Sequence, residues 1–167
     1  GMLDFWHIMG KCAAIARKEV FYVWPFGLTA WLAGVVFIDR VNGKVANKQL
    51  EETSKLMTEK NTKLWLFPEG TRNKKGDTLL PFKRGAFRVA INSQVPIIPV
   101  VYSPYYFVDT EKKIFGKGRI TVNVLDPIPT AGLTQDDIDP LMDRTRDLMV
   151  KQYEICKQEM LYDLIKT

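Results

Sequence analysis

The residues best equipped for chemistry sit close together. Glu69-Gly70-Thr71-Arg72 places a carboxylate, a hydroxyl and a guanidinium around a glycine, and Lys83-Arg84 adds two cations eleven residues after Arg72. A guanidinium makes two parallel charge-assisted contacts with phosphate oxygens, which an ammonium cannot copy. Backbone amides at a loop or a helix start add to such a site, and a glycine lets the chain approach a ligand closely. The apolar run Leu64-Trp65-Leu66-Phe67 ahead of these residues reads as a short buried strand that Pro68 ends. Asn73-Lys74-Lys75-Gly76-Asp77 has the composition of a turn, and the chain returns through Leu79-Leu80-Pro81-Phe82 to a helix expected from about Gly85. On spacing alone, a phosphate cradle and an ordinary basic loop between a strand and a helix both remain open.

Composition narrows the partners. The 167 residues hold 24 Lys and Arg against 19 Asp and Glu, a net charge of +5. That excess suits an anionic partner, whether nucleic acid, an anionic membrane surface or a phosphorylated substrate. No RNP-like, zinc-finger or dense Lys/Arg helix pattern supports nucleic acid, so none is expected. A hydrophobic content of 46% with 26% charged residues describes a globular chain, long enough for one domain with a real core. Cys12 and Cys156 lie far apart and read as free buried thiols. His7 is the sole histidine, and no carboxylate spacing suggests a metal site, so no metal or cofactor is expected. No basic stretch of the kind that opens a signal peptide stands at the N-terminus.

The elements that must position these residues alternate. Residues 2–10 suit a helix, and Cys12-Ala13-Ala14-Ile15-Ala16 a short strand. Residues 20–38 carry no charge over nineteen positions, close to the roughly 20 that span a bilayer. Pro25, Gly27 and Gly34 divide the stretch, which favours a helix near residues 25–33 and a strand Val35-Val36-Phe37-Ile38 over insertion. The aromatic edge Phe21-Tyr22-Val23-Trp24-Pro25-Phe26 suits shallow contact with a membrane interface. Residues 45–60 pattern as an amphipathic helix with Ala46, Leu50, Thr53 and Met57 on one face. A helix at 85–93 turns Phe87, Ala90 and Ile91 inward. Residues 95–101 read as an apolar strand limited by Pro96 and Pro99, 112–118 as a basic turn, and 119–125 as an alternating strand. Thr134, with Asp136 and Asp137 behind it, starts a terminal helix whose expected inner face is Leu141, Thr145, Leu148, Gln152 and Ile155. Strands alternating with helices predict an α/β domain around one mixed central sheet flanked by helices.

Four blocks in order resemble the glycerolipid acyltransferases, and within them the lysophosphatidate acyltransferase branch. Phe67-Pro68-Glu69-Gly70-Thr71-Arg72, followed by Leu80-Pro81-Phe82-Lys83-Arg84-Gly85-Ala86, is similar to that family's substrate-binding block. Gly34-Val35-Val36-Phe37-Ile38-Asp39-Arg40 resembles its second block, in which a strand delivers an arginine to the substrate. Val95-Pro96-Ile97-Ile98-Pro99-Val100 resembles its fourth. Without the family, Arg40 is a solvated strand-end cation and the two prolines are edge-strand residues.

The first block departs from the pattern. The family has Asn-His, four residues, then Asp, with the histidine as catalytic base. Met2-Leu3-Asp4 resembles the end of that block, which makes Asp4 its aspartate and places the histidine ahead of Gly1. His7 follows Asp4 by three residues and does not inherit the role. An alcohol attacking a thioester must lose its proton, and imidazole titrates near working pH. A carboxylate beside it orients the ring, which is all that Asp4 supplies. Alone, this chain is therefore expected to be a poor catalyst. The resemblance implies acyl transfer from acyl-CoA, a co-substrate and not a cofactor, to lysophosphatidate. It assigns the phosphate first to Thr71 and Arg72, then to Arg40, Lys83 and Arg84. Gly70 allows close approach, and Glu69 fixes the loop or a glycerol hydroxyl. It implies further that N-terminal membrane segments and the start of the first block lie outside residues 1–167, that the intact protein resides at the endoplasmic reticulum membrane, and that this portion is soluble or peripheral. Another lysophospholipid or glycerol-3-phosphate as acceptor, and a non-catalytic lipid- or phosphate-binding module, are the alternatives.

Overall fold

The computed structural model describes residues 12–38, 52, 55, 58–59, 61–71, 73, 76–109 and 112–165. The chain is α/β and divides into two compact units: Gly1–Pro68 with Gly85–Gln94, and Glu69–Arg84 with Val95–Thr167.

The first unit is built on a parallel three-stranded sheet. β1 (Cys12–Arg17) lies at its centre, between β2 (Val36–Ile38) and β3 (Lys63–Trp65). The register pairs Ile15 with Val36 and Ala13 with Leu64. The small apolar residues of β1 suit a strand flanked on both edges. Between β1 and β2 the chain crosses over through α1 (Lys18–Phe21) and α2 (Phe26–Leu32), as parallel pairing requires. The uncharged stretch is thus a short helix pair and a strand. Among the described residues no helix is long and apolar enough to cross a membrane. Gly27 is obligatory here: a Cβ on it would meet the Phe21 carbonyl oxygen at 1.7 Å. The Phe21 ring packs edge-on against Phe37 at 5.4 Å, which ties α1 to β2. α3 (Arg84–Ser93) buries Phe87, Val89, Ala90 and Ile91. Within the helix expected at 45–60, only Glu52, Lys55, Thr58 and Glu59 are described, and all four are helical. The helix expected at 2–10 lies outside the described residues.

The second unit carries antiparallel pairs. β4 (Val100–Tyr102) pairs with β7 (Val122–Val124), with Val101 opposite Asn123. β5 (Val108–Asp109) pairs with β6 (Ile114–Phe115), so the segment expected as a plain basic turn contributes half of a hairpin. The strand expected over 95–101 is shorter than its apolar run. Pro96 and Pro99 have no N–H for a ladder, and only an isolated bridge between Ile97 and Ile128 precedes β4. Parallel and antiparallel pairing are thereby kept in separate sheets. A 3-10 turn (Gln135–Asp137) is capped by Thr134, whose N–H and Oγ both donate to Asp137 Oδ2, at 2.7 and 2.9 Å. It leads into α4 (Ile138–Ile165). α4 buries Ile138, Leu141, Thr145, Met149, Tyr153 and Cys156. The inner face is therefore displaced from the expected one toward its C-terminal end: Leu148 and Ile155 are exposed, and Met149, Tyr153 and Cys156 take the inward positions. The Asn123 side chain donates to Cys156 Sγ at 3.1 Å, joining β7 to α4. Both cysteines are free, Cys12 half-buried and Cys156 buried.

Candidate functional site

The loop 69–84 belongs to one compact unit with α4, and its geometry starts at Gly70. Its φ of +68° lies in the left-handed region, which a side chain disfavours. Any other residue there would strain the turn that presents Thr71. Glu69 is half-buried, and its Oε2 accepts the Leu80 N–H at 3.0 Å. That bond clips the first residue of the loop to one eleven positions later. The tip closes on Asn73, whose Nδ2 donates to the Thr78 carbonyl at 2.6 Å and whose Oδ1 accepts the Gly76 N–H at 3.2 Å. An asparagine folding its side chain onto the backbone two to five residues on is the usual chemistry of a tight turn.

α4 holds the returning arm. Tyr153 donates its hydroxyl to the Gly76 carbonyl at 2.6 Å, and Lys157 Nζ donates to the Asp77 carbonyl at 2.8 Å. Arg146 donates from Nη2 to Leu79 O at 2.9 Å and from Nε to Leu80 O at 3.5 Å. Burial, with smaller contributions from Glu154, Glu69, Tyr102 and Asp77, pushes the Tyr153 hydroxyl up to about 12. It stays a protonated donor throughout the working pH range.

Of the residues singled out from sequence, Glu69, Gly70, Thr71, Lys83 and Arg84 fall in this loop. Thr71 and Lys83 are exposed. Arg84 is exposed as well and pairs through Nε with Asp139 Oδ1 at 3.1 Å. With both partners more than half exposed, that pair contributes little stability, but it occupies one edge of the Arg84 fork. Asp4, Arg40 and Arg72 lie outside the described residues. Sequence reasoning missed Arg146, Tyr153 and Lys157. Their spacing of seven and four puts them on one helix face, but their partners are backbone carbonyls, which leave no mark on the sequence. Among the described residues no group of His, Cys, Asp and Glu is arranged to hold a metal ion.

Comparison with known proteins gives this loop a setting. A family model described as Acyltransferase matches residues 2–103. Human 1-acyl-sn-glycerol-3-phosphate acyltransferase beta is 47% identical over 134 residues, covering 80% of this chain and 48% of that protein. Human 1-acyl-sn-glycerol-3-phosphate acyltransferase alpha is 43% identical over 151 residues, covering 90% and 52%. The 1-acyl-sn-glycerol-3-phosphate acyltransferase of Haemophilus influenzae is 35% identical over 157 residues, covering 92% and 63%. The chain thus spans about half the length of the human relatives. Among solved structures, the 1-acyl-sn-glycerophosphate acyltransferase PlsC of Thermotoga maritima superimposes with a TM-score of 0.65 over 87% of this chain and 56% of that one. At 23% identity that likeness speaks for the fold alone.

Proposed function

We propose, for a chain that belongs to the acyltransferase family, that it acylates lysophosphatidate. The lipid's free hydroxyl attacks the thioester of acyl-CoA. A C–O bond forms as the C–S bond breaks, the hydroxyl proton passes to a base, and phosphatidate and CoA leave. The observation that carries this reading is the 69–84 loop: an acyltransferase-like sequence block folded around a left-handed glycine and pinned by Glu69 to Leu80. The chain is 47 and 43% identical to relatives named for 1-acyl-sn-glycerol-3-phosphate.

On this reading Thr71 and Arg72 hold the substrate phosphate. Arg40 and Lys83 add positive charge, and Arg84 ranks behind them because Asp139 already engages it. Asp4 orients the imidazole base that the family's first block carries. Glu69 acts as the clip of the loop and not as a base, because its carboxylate already accepts a backbone N–H.

The substrate pair implies work at a membrane surface, which we assign to the endoplasmic reticulum membrane on the strength of the likeness to the human proteins. Residues 21–32 support it: Tyr22, Trp24, Trp31 and Leu32 are 72, 79, 58 and 70% exposed, and no charge interrupts them. Tryptophan and tyrosine favour the headgroup level of a bilayer. Replacing Trp24 and Trp31 together by serine should weaken sedimentation with phosphatidylcholine–phosphatidate vesicles. Unchanged sedimentation would remove this patch from the membrane reading.

The reaction is tested with protein extended upstream of Gly1, offering labelled acyl-CoA with lysophosphatidate, lysophosphatidylcholine or glycerol-3-phosphate. Selective formation of phosphatidate is expected. A preference for either other acceptor would reassign the substrate. Binding of lysophosphatidate without acylation would make the protein a lipid-binding module.

A further inference from the structure

From Gly76 to Leu80, five successive carbonyls of the loop accept hydrogen bonds from side chains: Tyr153, Lys157, Asn73 and then Arg146 twice. Four of the five bonds come from one face of α4. The overall order is antiparallel: Gly76 and Asp77 meet Tyr153 and Lys157, Leu79 and Leu80 meet Arg146, and Arg84 pairs with Asp139. Along this arm, side-chain donors of α4 hold the backbone carbonyls of the loop.

We propose that Arg146, Tyr153 and Lys157 are positioning residues for the phosphate-binding loop, acting on lysophosphatidate through the backbone they hold and not by touching it. The proposal rests on the functional reading above. Two features argue that these groups are built for this task. Both cations are directed at carbonyl oxygens within the fold, with Lys157 also 3.4 Å from Glu154, so their charge is already engaged. Tyr153 is buried, so its hydroxyl cannot trade Gly76 for bulk water when the loop shifts. The carbonyls of Gly76, Leu79 and Leu80 are only partly open to water, and leaving one without its donor is costly, so the loop is bound to one position along the helix. Glu69 fixes the near end of the same arm at Leu80, the residue that Arg146 reaches from the other side. The arm is therefore held between the residue preceding Gly70-Thr71 and the terminal helix. A displacement of α4 moves Thr71 and Lys83 together.

The test compares Tyr153→Phe, Lys157→Ala, Lys157→Arg and the exposed control Lys151→Ala in the full-length protein. Two quantities are read: hydrogen exchange of loop peptides, and the KM for each substrate separately from kcat. Tyr153→Phe and Lys157→Ala should speed exchange across residues 74–82 and raise the KM for lysophosphatidate about 3- to 10-fold, the loss of one net hydrogen bond. The KM for acyl-CoA and kcat should stay within about two-fold, the mark of lost substrate binding and not of lost chemistry. Lys157→Arg should restore most of the effect, and Lys151→Ala should show none. Faster loop exchange with an unchanged KM for lysophosphatidate would refute the positioning role. Unchanged exchange would refute the clamp itself. If the unsubstituted protein fails to acylate lysophosphatidate, the functional reading falls separately, and the exchange measurement still decides whether α4 holds the loop.

Discussion

Replacing Glu69 separates a clip from a catalyst. Its carboxylate accepts the Leu80 N–H at 3.0 Å from a half-buried position. A hydrogen bond to a charged group contributes about 1.5–3 kcal/mol net. Glu69→Ala removes the acceptor and leaves the amide to water or to nothing. Glu69→Gln keeps a carbonyl oxygen at the same reach and loses only the charge, so it should forfeit about half of that figure. If the bond holds the loop in its binding position, the competent fraction falls and the apparent affinity for lysophosphatidate falls with it. At 1.4 kcal/mol per factor of ten, the ceiling for Glu69→Ala is about 10- to 100-fold in KM. Compensation by Arg146, which holds the same residue from α4, places the expected value near the lower end. The assay is steady-state acyl transfer with each substrate varied in turn, beside hydrogen exchange of the 74–82 peptides. Glu69→Gln should lie between wild type and Glu69→Ala in both readouts. Two variants that lose kcat equally, with loop exchange unchanged, would refute the reasoning and move Glu69 into contact with the reacting groups.

Three further outcomes are expected. Arg72→Ala should weaken lysophosphatidate binding by about 1.5–3 kcal/mol, with Arg72→Lys recovering part of it because charge returns without the fork. In the same titration Lys75→Ala should lose little, since long-range attraction there is screened by salt; similar losses for Arg72→Ala and Lys75→Ala would mean that the loop is merely basic. In the full-length protein, replacing the base histidine expected from the family's first block by alanine should slow acyl transfer at least about 100-fold, the low end for losing a general base; comparable rates would disprove that assignment. Two hydrogen bonds from Thr134 hold the Asp137 carboxyl below its ordinary 3.8, so its charged form favours the folded start of α4. That contribution is full above 3.8 and fades as pH falls through the lowered value; Asp137→Asn should flatten the acid limb of an unfolding titration, and an unaltered limb would show that the cap is thermodynamically silent.

Much of the first unit was legible in the sequence because each element there is decided locally. Pro25 and Gly34 bracket α2, small apolar residues suit the doubly flanked β1, and Pro68 ends the run that contains β3. The second unit was less legible because its contacts are decided between elements. Residues 95–101 have the apolarity of a long strand, but two missing N–H groups break its ladder. The inner face of α4 was misplaced because Leu148 and Ile155 are as apolar as the residues that are buried, while Tyr153 gains its place through a hydroxyl bonded to a backbone carbonyl. The candidate site divides in the same way. Gly70 and the basic residues announce themselves by type, whereas the helix that holds their loop is visible only once the chain has folded.

The decisive question is whether residues 69–84 meet a phosphate. Hydrogen exchange of the full-length protein, measured with lysophosphatidate and with a monoacylglycerol of the same chain length, decides it. Slower exchange in peptides spanning 69–84 with lysophosphatidate alone is the predicted result. Equal protection by both lipids, or protection confined to other segments, would contradict it.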